Sequence, residues 1–120
     1  MQFVPVWDSS LQLIESAAVP SWVADSLKKL PYGHSDYFEP GSAVKAMPIA
    51  ALAATRTRWE AAVRASDLML SASQGKIPKR SAISIAPIPG HDRFAIQDGN
   101  STFIVALLSD WADIPAIVAG

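Results

Sequence analysis

The chain contains no cysteine, so disulfides, thiolate metal sites and cysteine nucleophiles are all excluded. Histidine is nearly as scarce: His34 and His91 are the only two, and they stand far apart. A histidine-based zinc site would need carboxylates to complete it, and no ligand spacing supports one. A surplus of positive charge is missing too. Ten Lys and Arg against eleven Asp and Glu leave a formal net charge of -1. Proteins that hold duplex DNA by neutralising phosphates carry a basic excess, so any nucleic-acid role here rests on a local patch. No apolar run reaches the ~20 residues of a membrane span. Met1-Gln2-Phe3-Val4-Pro5 does not open with a basic region and an apolar stretch, as a secretory signal does. The expectation is a cytoplasmic protein with no membrane association.

What is present suits one small domain. Of 120 residues, 50% are apolar and 18% charged, enough for a core and too little charge for a disordered chain. Asp8-Ser9-Ser10 offers helix caps, Ser9 and Gln12 fit a capping box, and Leu11, Ile14 and Ala18 recur at helical spacing. A second helix is expected from Pro20-Ser21, carrying Trp22, Val23, Leu27 and Leu30, until Pro31-Tyr32-Gly33 stops it. Residues 31–42 read as a loop rich in Pro, Gly, Ser and aromatics. Residues 1–42 are thus expected to form an N-terminal helical appendage, and 43–120 a compact domain.

Within that domain, Ala43–Ile49 reads as a strand whose Pro48 marks an edge or an end. Thr57 and Glu60 make a T-x-x-E capping box, and Trp59, Ala62, Val63, Ser66, Met69, Leu70 and Ser73 form a helical seam closed by Gly75. Lys76-Ile77-Pro78-Lys79-Arg80 is a basic connector. Ile83 and Ile85 alternate with small residues, Pro89-Gly90-His91-Asp92 is a turn, and Phe94 and Ile96 alternate again, which predicts an antiparallel hairpin. After Asp98-Gly99-Asn100 two readings stand. Phe103-Ile104-Val105 favours a strand, whereas Ile104, Leu108 and Trp111 are spaced as on a helix that Ser101 or Thr102 would cap. Ile114-Pro115-Ala116-Ile117-Val118 is a short buried strand. The four tryptophans read mostly as core anchors, Trp7 least clearly.

Several of these segments, in order, resemble the ParB N-terminal domain and its sulfiredoxin-like relatives. Met47-Pro48-Ile49-Ala50-Ala51-Leu52 with Arg56 is similar to the family's opening strand and following arginine. Gly75 and Arg80-Ser81-Ala82-Ile83 resemble its G-x-x-x-x-R-x-P-I segment. Asp98-Gly99-Asn100-Ser101-Thr102 resembles its (D/A)-G-(N/E)-x-R loop, and Ile114-Pro115-Ala116-Ile117-Val118 its I-P-(A/V)-x-V strand. The resemblance covers about two thirds of the chain. It implies an α/β (α+β) fold, a small mixed sheet flanked by helices, with a helix after Thr102. It also implies a loop that meets nucleotide or nucleic-acid phosphates, as in relatives that hydrolyse nucleotides or cut nucleic acid. Where those relatives place His-Arg or Arg-Arg, this chain has Ser101 and Thr102. Sulfiredoxin chemistry, which requires a cysteine, is excluded.

The physics of such a loop gives each residue a candidate role. A strand ending in Gly that opens a helix points free N–H groups and the positive end of the helix dipole at one spot. Gly99 permits the turn and leaves room for a ligand. Ser101 and Thr102 are candidate anion donors, alongside simple capping. Asp98 and Asn100 are the candidate catalytic residues, and Asp98, with Asn100, the candidate ligand of Mg²⁺. Arg80, Lys79, Arg56 and Arg58 are the candidates to replace the missing loop arginine. The bland alternative for Asp98-Gly99-Asn100 is a turn satisfying backbone groups. Two functions of different class follow. One is phosphate chemistry, as a nuclease or nucleotide hydrolase. The other is a catalytically silent protein-interaction module whose contact residues would be Trp22 on the second expected helix and Tyr37 and Phe38 in the aromatic loop, which reads equally as a lid on the core. A DNA-binding module of ParB type is weaker, given the net charge.

Overall fold

In a computed structural model, which describes residues 1–119, the run Phe3–Asp8 is strand β1 and Leu13–Ala18 is strand β2, paired antiparallel as a hairpin. The helix expected over residues 9–18 is therefore absent. The capping residues are real, but they cap a turn. Asp8 Oδ1 accepts from Ser10 N–H at 3.0 Å, Ser10 Oγ at 2.6 Å and Leu11 N–H at 3.2 Å. Gln12 then takes a left-handed conformation with φ 55° and donates from Nε2 to Ser9 O at 2.6 Å. Asx turns and helix N-caps share this chemistry, and tertiary pairing chooses between them. Here Trp7 N–H donates to Ala54 O at 2.7 Å and Ala54 N–H to Pro5 O at 2.8 Å, so the hairpin, a two-stranded sheet of its own, is bridged to the domain at Ala54.

Helix α1 (Ser21–Ser26) is shorter than its apolar spacing suggests, and the chain continues extended from Leu27. A four-residue helix α2 (His34–Tyr37) interrupts the expected loop. Five further strands follow, β3 (Lys45–Pro48), β4 (Leu52–Ala53), β5 (Ile83–Pro87), β6 (Phe94–Asp98) and β7 (Asp113–Val118), with helices α3 (Trp59–Ser73) and α4 (Asn100–Leu108) between them. The sheet order is β3-β7-β5-β6-β4. Pairs β3–β7 and β5–β6 are antiparallel, and β5–β7 and β4–β6 parallel. The expected α+β fold with a mixed sheet flanked by helices is what forms.

Pro48 sits where sheet chemistry tolerates it. Ile49 N–H donates to Ala112 O at 2.9 Å, so by alternation Met47 and Lys45 turn their polar groups towards β7. Ala46 and Pro48 face outward on the edge strand, and Pro48 has no N–H to leave unpaired there. At the end of α3, Gly75 (φ 73°) accommodates a Schellman close: Gly75 N–H bonds Ala72 O at 3.1 Å and Lys76 N–H bonds Ser71 O at 3.0 Å. The T-x-x-E capping box does not form. Arg58 is the N-cap and no side chain caps the helix, because Thr57 belongs to an extended segment pinned elsewhere.

Helix α4 is the centre of the core. Phe103, Ile104, Val105 and Ala106 are wholly buried, and the helix touches α3 as well as β5 and β7. Residues 1–42 contribute Val4, Val19, Val23, Leu27, Leu30, Tyr37 and Phe38 to the same hydrophobic cluster. Tyr37 and Phe38 thus serve the core, each 3% exposed. Trp111 is the one tryptophan that anchors the interior; Trp7 and Trp59 are half-buried and Trp22 is exposed. Its Nε1–H donates to Leu30 O at 2.9 Å, and its ring lies 5.3 Å from Tyr37, 5.9 Å from Tyr32 and 6.3 Å from Phe38. Tyr32 also donates to Asp113 Oδ1, which lifts the phenol above its ordinary pKa, and His34 Nε2 lies 2.8 Å from the same oxygen. This cluster holds the 27–38 segment on the domain.

Replacing Trp111 with Phe keeps an aromatic ring but leaves Leu30 O without its donor. Urea denaturation of Trp111→Phe is expected to show a loss of about 2–3 kcal/mol; a loss below about 0.5 kcal/mol contradicts this anchoring role.

Candidate functional site

The site is built on the junction between β6 and α4. Strand β6 ends at Asp98, Gly99 turns the chain with φ 107° as the N-cap, and α4 starts at Asn100, two to three residues earlier than a Ser101 or Thr102 cap would place it. Phe103 N–H already bonds Gly99 O at 2.9 Å, so the two-stranded alternative through Phe103 does not occur. Glycine is required twice over. The backbone is left-handed, and a Cβ there would lie 2.5 Å from Ile83 Cγ2 on β5.

Asn100 ties this junction to the segment before α3. Its Oδ1 accepts from Thr55 N–H at 2.8 Å and its Nδ2 donates to Thr55 Oγ1 at 3.1 Å. The Thr55 hydroxyl in turn donates to Ile96 O at 2.7 Å. Arg56 and Arg58 follow this anchor two residues apart, and both line a cleft of about 300 Å³ at the start of α4.

Arg80 enters the same cleft from the connector before β5. Its backbone is fixed by pairing with the α2 end: Arg80 N–H donates to Tyr37 O at 2.8 Å, and Glu39 N–H to Arg80 O at 2.9 Å. Its guanidinium Nε–H donates to Thr102 Oγ1 at 3.0 Å, on a threonine that is almost wholly buried. Burial pulls the Arg80 guanidinium below its ordinary pKa. Lys79, its neighbour, points the other way, as successive residues of extended chain do. Its Nζ donates to Ser35 O at 2.6 Å, and it lines a separate, more apolar cleft of about 460 Å³ with Phe38, Val44 and Pro115. Lys79 is thus removed from the site that Arg56, Arg58 and Arg80 form.

Gln97, Asp98, Gly99, Asn100, Ser101 and Thr102 complete the lining. A third cleft of about 300 Å³ adjoins it, sharing Arg80, Asp98, Gly99 and Thr102 and running over Ser81–Ile83. Among the described residues the two ion pairs are Lys28–Asp67 and His34–Asp113, so none of the three arginines has a carboxylate within 4.0 Å. Asp98 is the one carboxylate of the lining. Asn100 Oδ1 is already engaged by Thr55, and no group of three His, Asp or Glu side chains comes together among the described residues. This donor set does not by itself fit a divalent cation. It fits an anion.

Arg56, Arg58 and Arg80, named from the sequence as candidates, are brought to one cleft. Sequence reasoning missed Gln97 as a lining residue and Thr55 as the organiser, although a Thr opening Thr-Arg-Thr-Arg was a visible signal.

No family model, curated protein or solved structure matches this chain. No helix among the described residues is long and apolar enough to cross a membrane.

Two glycines separate the steric from the conformational demand. Gly90 has φ 77° and open space where a methyl group would sit, whereas a methyl on Gly99 meets Ile83. In chemical denaturation Gly90→Ala is expected to cost about 1 kcal/mol and Gly99→Ala about 3 kcal/mol. Equal costs would show that Ile83 gives way freely and that the junction is not tightly set.

Proposed function

We propose that this chain binds, and acts on, the phosphates of a nucleotide or nucleic acid at the cleft before α4. The observation that carries the reading is the convergence of Arg56, Arg58 and Arg80, without carboxylate partners among the described residues, on the amide end of a helix. Arg80 is half-buried, and a cation that has lost hydration recovers it best from an anion; Arg56 and Arg58 stand exposed and add their charge to the same cleft. Guanidinium groups meet phosphate oxygens with paired, directional N–H donors. The first amides of α4 and its dipole add to the same potential. The motif order that resembles the ParB N-terminal domain agrees with this reading. Asp98 is the lining group able to take up a proton, so it is the candidate general base, while the hydrogen bonds of Asn100 give that residue a holding role.

A second reading, an interaction module without catalysis, draws on the hairpin and α1. Phe3 (51% exposed), Leu11 (58%) and Trp22 (44%) stand in solvent there.

A thermal-shift titration distinguishes the two. A ligand that binds only the folded chain at a hundredfold excess over Kd stabilises it by about 2.7 kcal/mol, a rise in Tm on the order of 10 °C for a domain of this size. Sodium pyrophosphate is expected to raise Tm in this way at low salt, and Arg80→Met to abolish the rise. An unchanged Tm with pyrophosphate, together with no cleavage of nucleotide, DNA or RNA, contradicts the phosphate reading and leaves the interaction module.

A further inference from the structure

Resting on the phosphate reading above, we infer that the cleft recognises a terminal phosphate chain alone and is indifferent to the base attached to it. Three features of the lining carry this. First, no aromatic side chain and no large apolar one lines the cleft, and the adjoining cleft adds only Ala82 and Ile83 as apolar wall. A base has no aromatic ring to stack on, and aromatic stacking is the commonest sequence-tolerant grip on a nucleobase; the planar groups present are guanidiniums, which hold any base face alike.

Second, reading a base edge needs amide or hydroxyl groups whose donors and acceptors are free. Asn100 spends its oxygen and its nitrogen on Thr55, and the Thr102 hydroxyl accepts from Arg80. These two side chains are set to hold the cleft; Gln97 and Ser101 are the uncharged polar groups of the lining left to meet a ligand, with no aromatic ring beside them to fix a base edge.

Third, the charge is concentrated. Three guanidinium groups and one carboxylate, Asp98, line about 300 Å³, and the adjoining third cleft continues past Arg80 over Ser81–Ile83. A terminal polyphosphate brings several charges into that span. A phosphodiester backbone brings one charge per nucleotide, spaced too widely to meet three clustered cations equally well. The ligand class is therefore a nucleoside triphosphate of any base, or inorganic polyphosphate, bound by its phosphates.

The test is isothermal titration calorimetry on the full chain at low salt, with ATP, CTP, GTP, UTP, inorganic tripolyphosphate and a mixed-sequence single-stranded oligonucleotide. The four nucleotides and tripolyphosphate are expected to agree in Kd within about threefold, and the oligonucleotide to bind at least about tenfold more weakly per site. Arg80→Met is expected to weaken all of them by about tenfold or more. A preference of about tenfold or more for one base, or nucleotides binding where tripolyphosphate does not, overturns base indifference and leaves the phosphate reading standing. An oligonucleotide binding as tightly as tripolyphosphate overturns the terminal-chain assignment. Silence from all six ligands removes this inference and the phosphate reading together.

Discussion

A half-buried guanidinium held from two directions sets the geometry of this molecule's cleft. The backbone of Arg80 is clamped between Tyr37 O and Glu39 N–H, and its Nε–H is fixed on Thr102 in the first turn of α4. Each clamp depends on packing further in. Tyr37 and Phe38 are in place because Trp111 stacks against them and bonds Leu30. Thr102 is in place because α4 is buried among the sheet and α3. The N-terminal segment thus does more than decorate the domain. It supplies the strand-like contact that aims a cation at the start of α4.

Two short polar links, Arg80–Thr102 and Thr55–Asn100, bring segments far apart in sequence to one helix terminus. Both use side chains of α4 facing its neighbours, so the helix's own polar groups go into construction. The cations are left over. A half-buried arginine with a hydroxyl for its side-chain partner is a poor device for stability, since desolvation of the charge is only partly repaid. Retaining that group beside the exposed Arg56 and Arg58 at one cleft makes sense as readiness for an anion.

Much of the domain was legible because its elements are locally consistent. Ile83/Ile85 and Phe94/Ile96 alternate and do pair, the long seam from Trp59 does coil into α3, and Gly75 does close it. The junction at Gly99 was legible as a turn, but local pattern left strand and helix open after it, since Phe103-Ile104-Val105 is buried on every side and shows no face. The first eighteen residues misled because Asp8 accepts the same backbone N–H bonds in a turn that it would accept at a helix start. What decided between them is the pairing of β1 with Ala54, a contact across nearly fifty positions. Lys79 and Arg80 looked equivalent in a basic run; alternation in an extended segment separates them, and its phase was invisible until the Tyr37–Arg80 bridge was known.

The side-chain Nε–H resonance of Arg80 reports on this arrangement most directly. In ¹H–¹⁵N spectra of the ligand-free chain it should exchange slowly with water, held by Thr102, while that of exposed Arg64 exchanges fast; on addition of sodium pyrophosphate it should shift, and Arg64 should not. An Arg80 resonance that exchanges as fast as that of Arg64 and stays put when pyrophosphate is added would contradict the account.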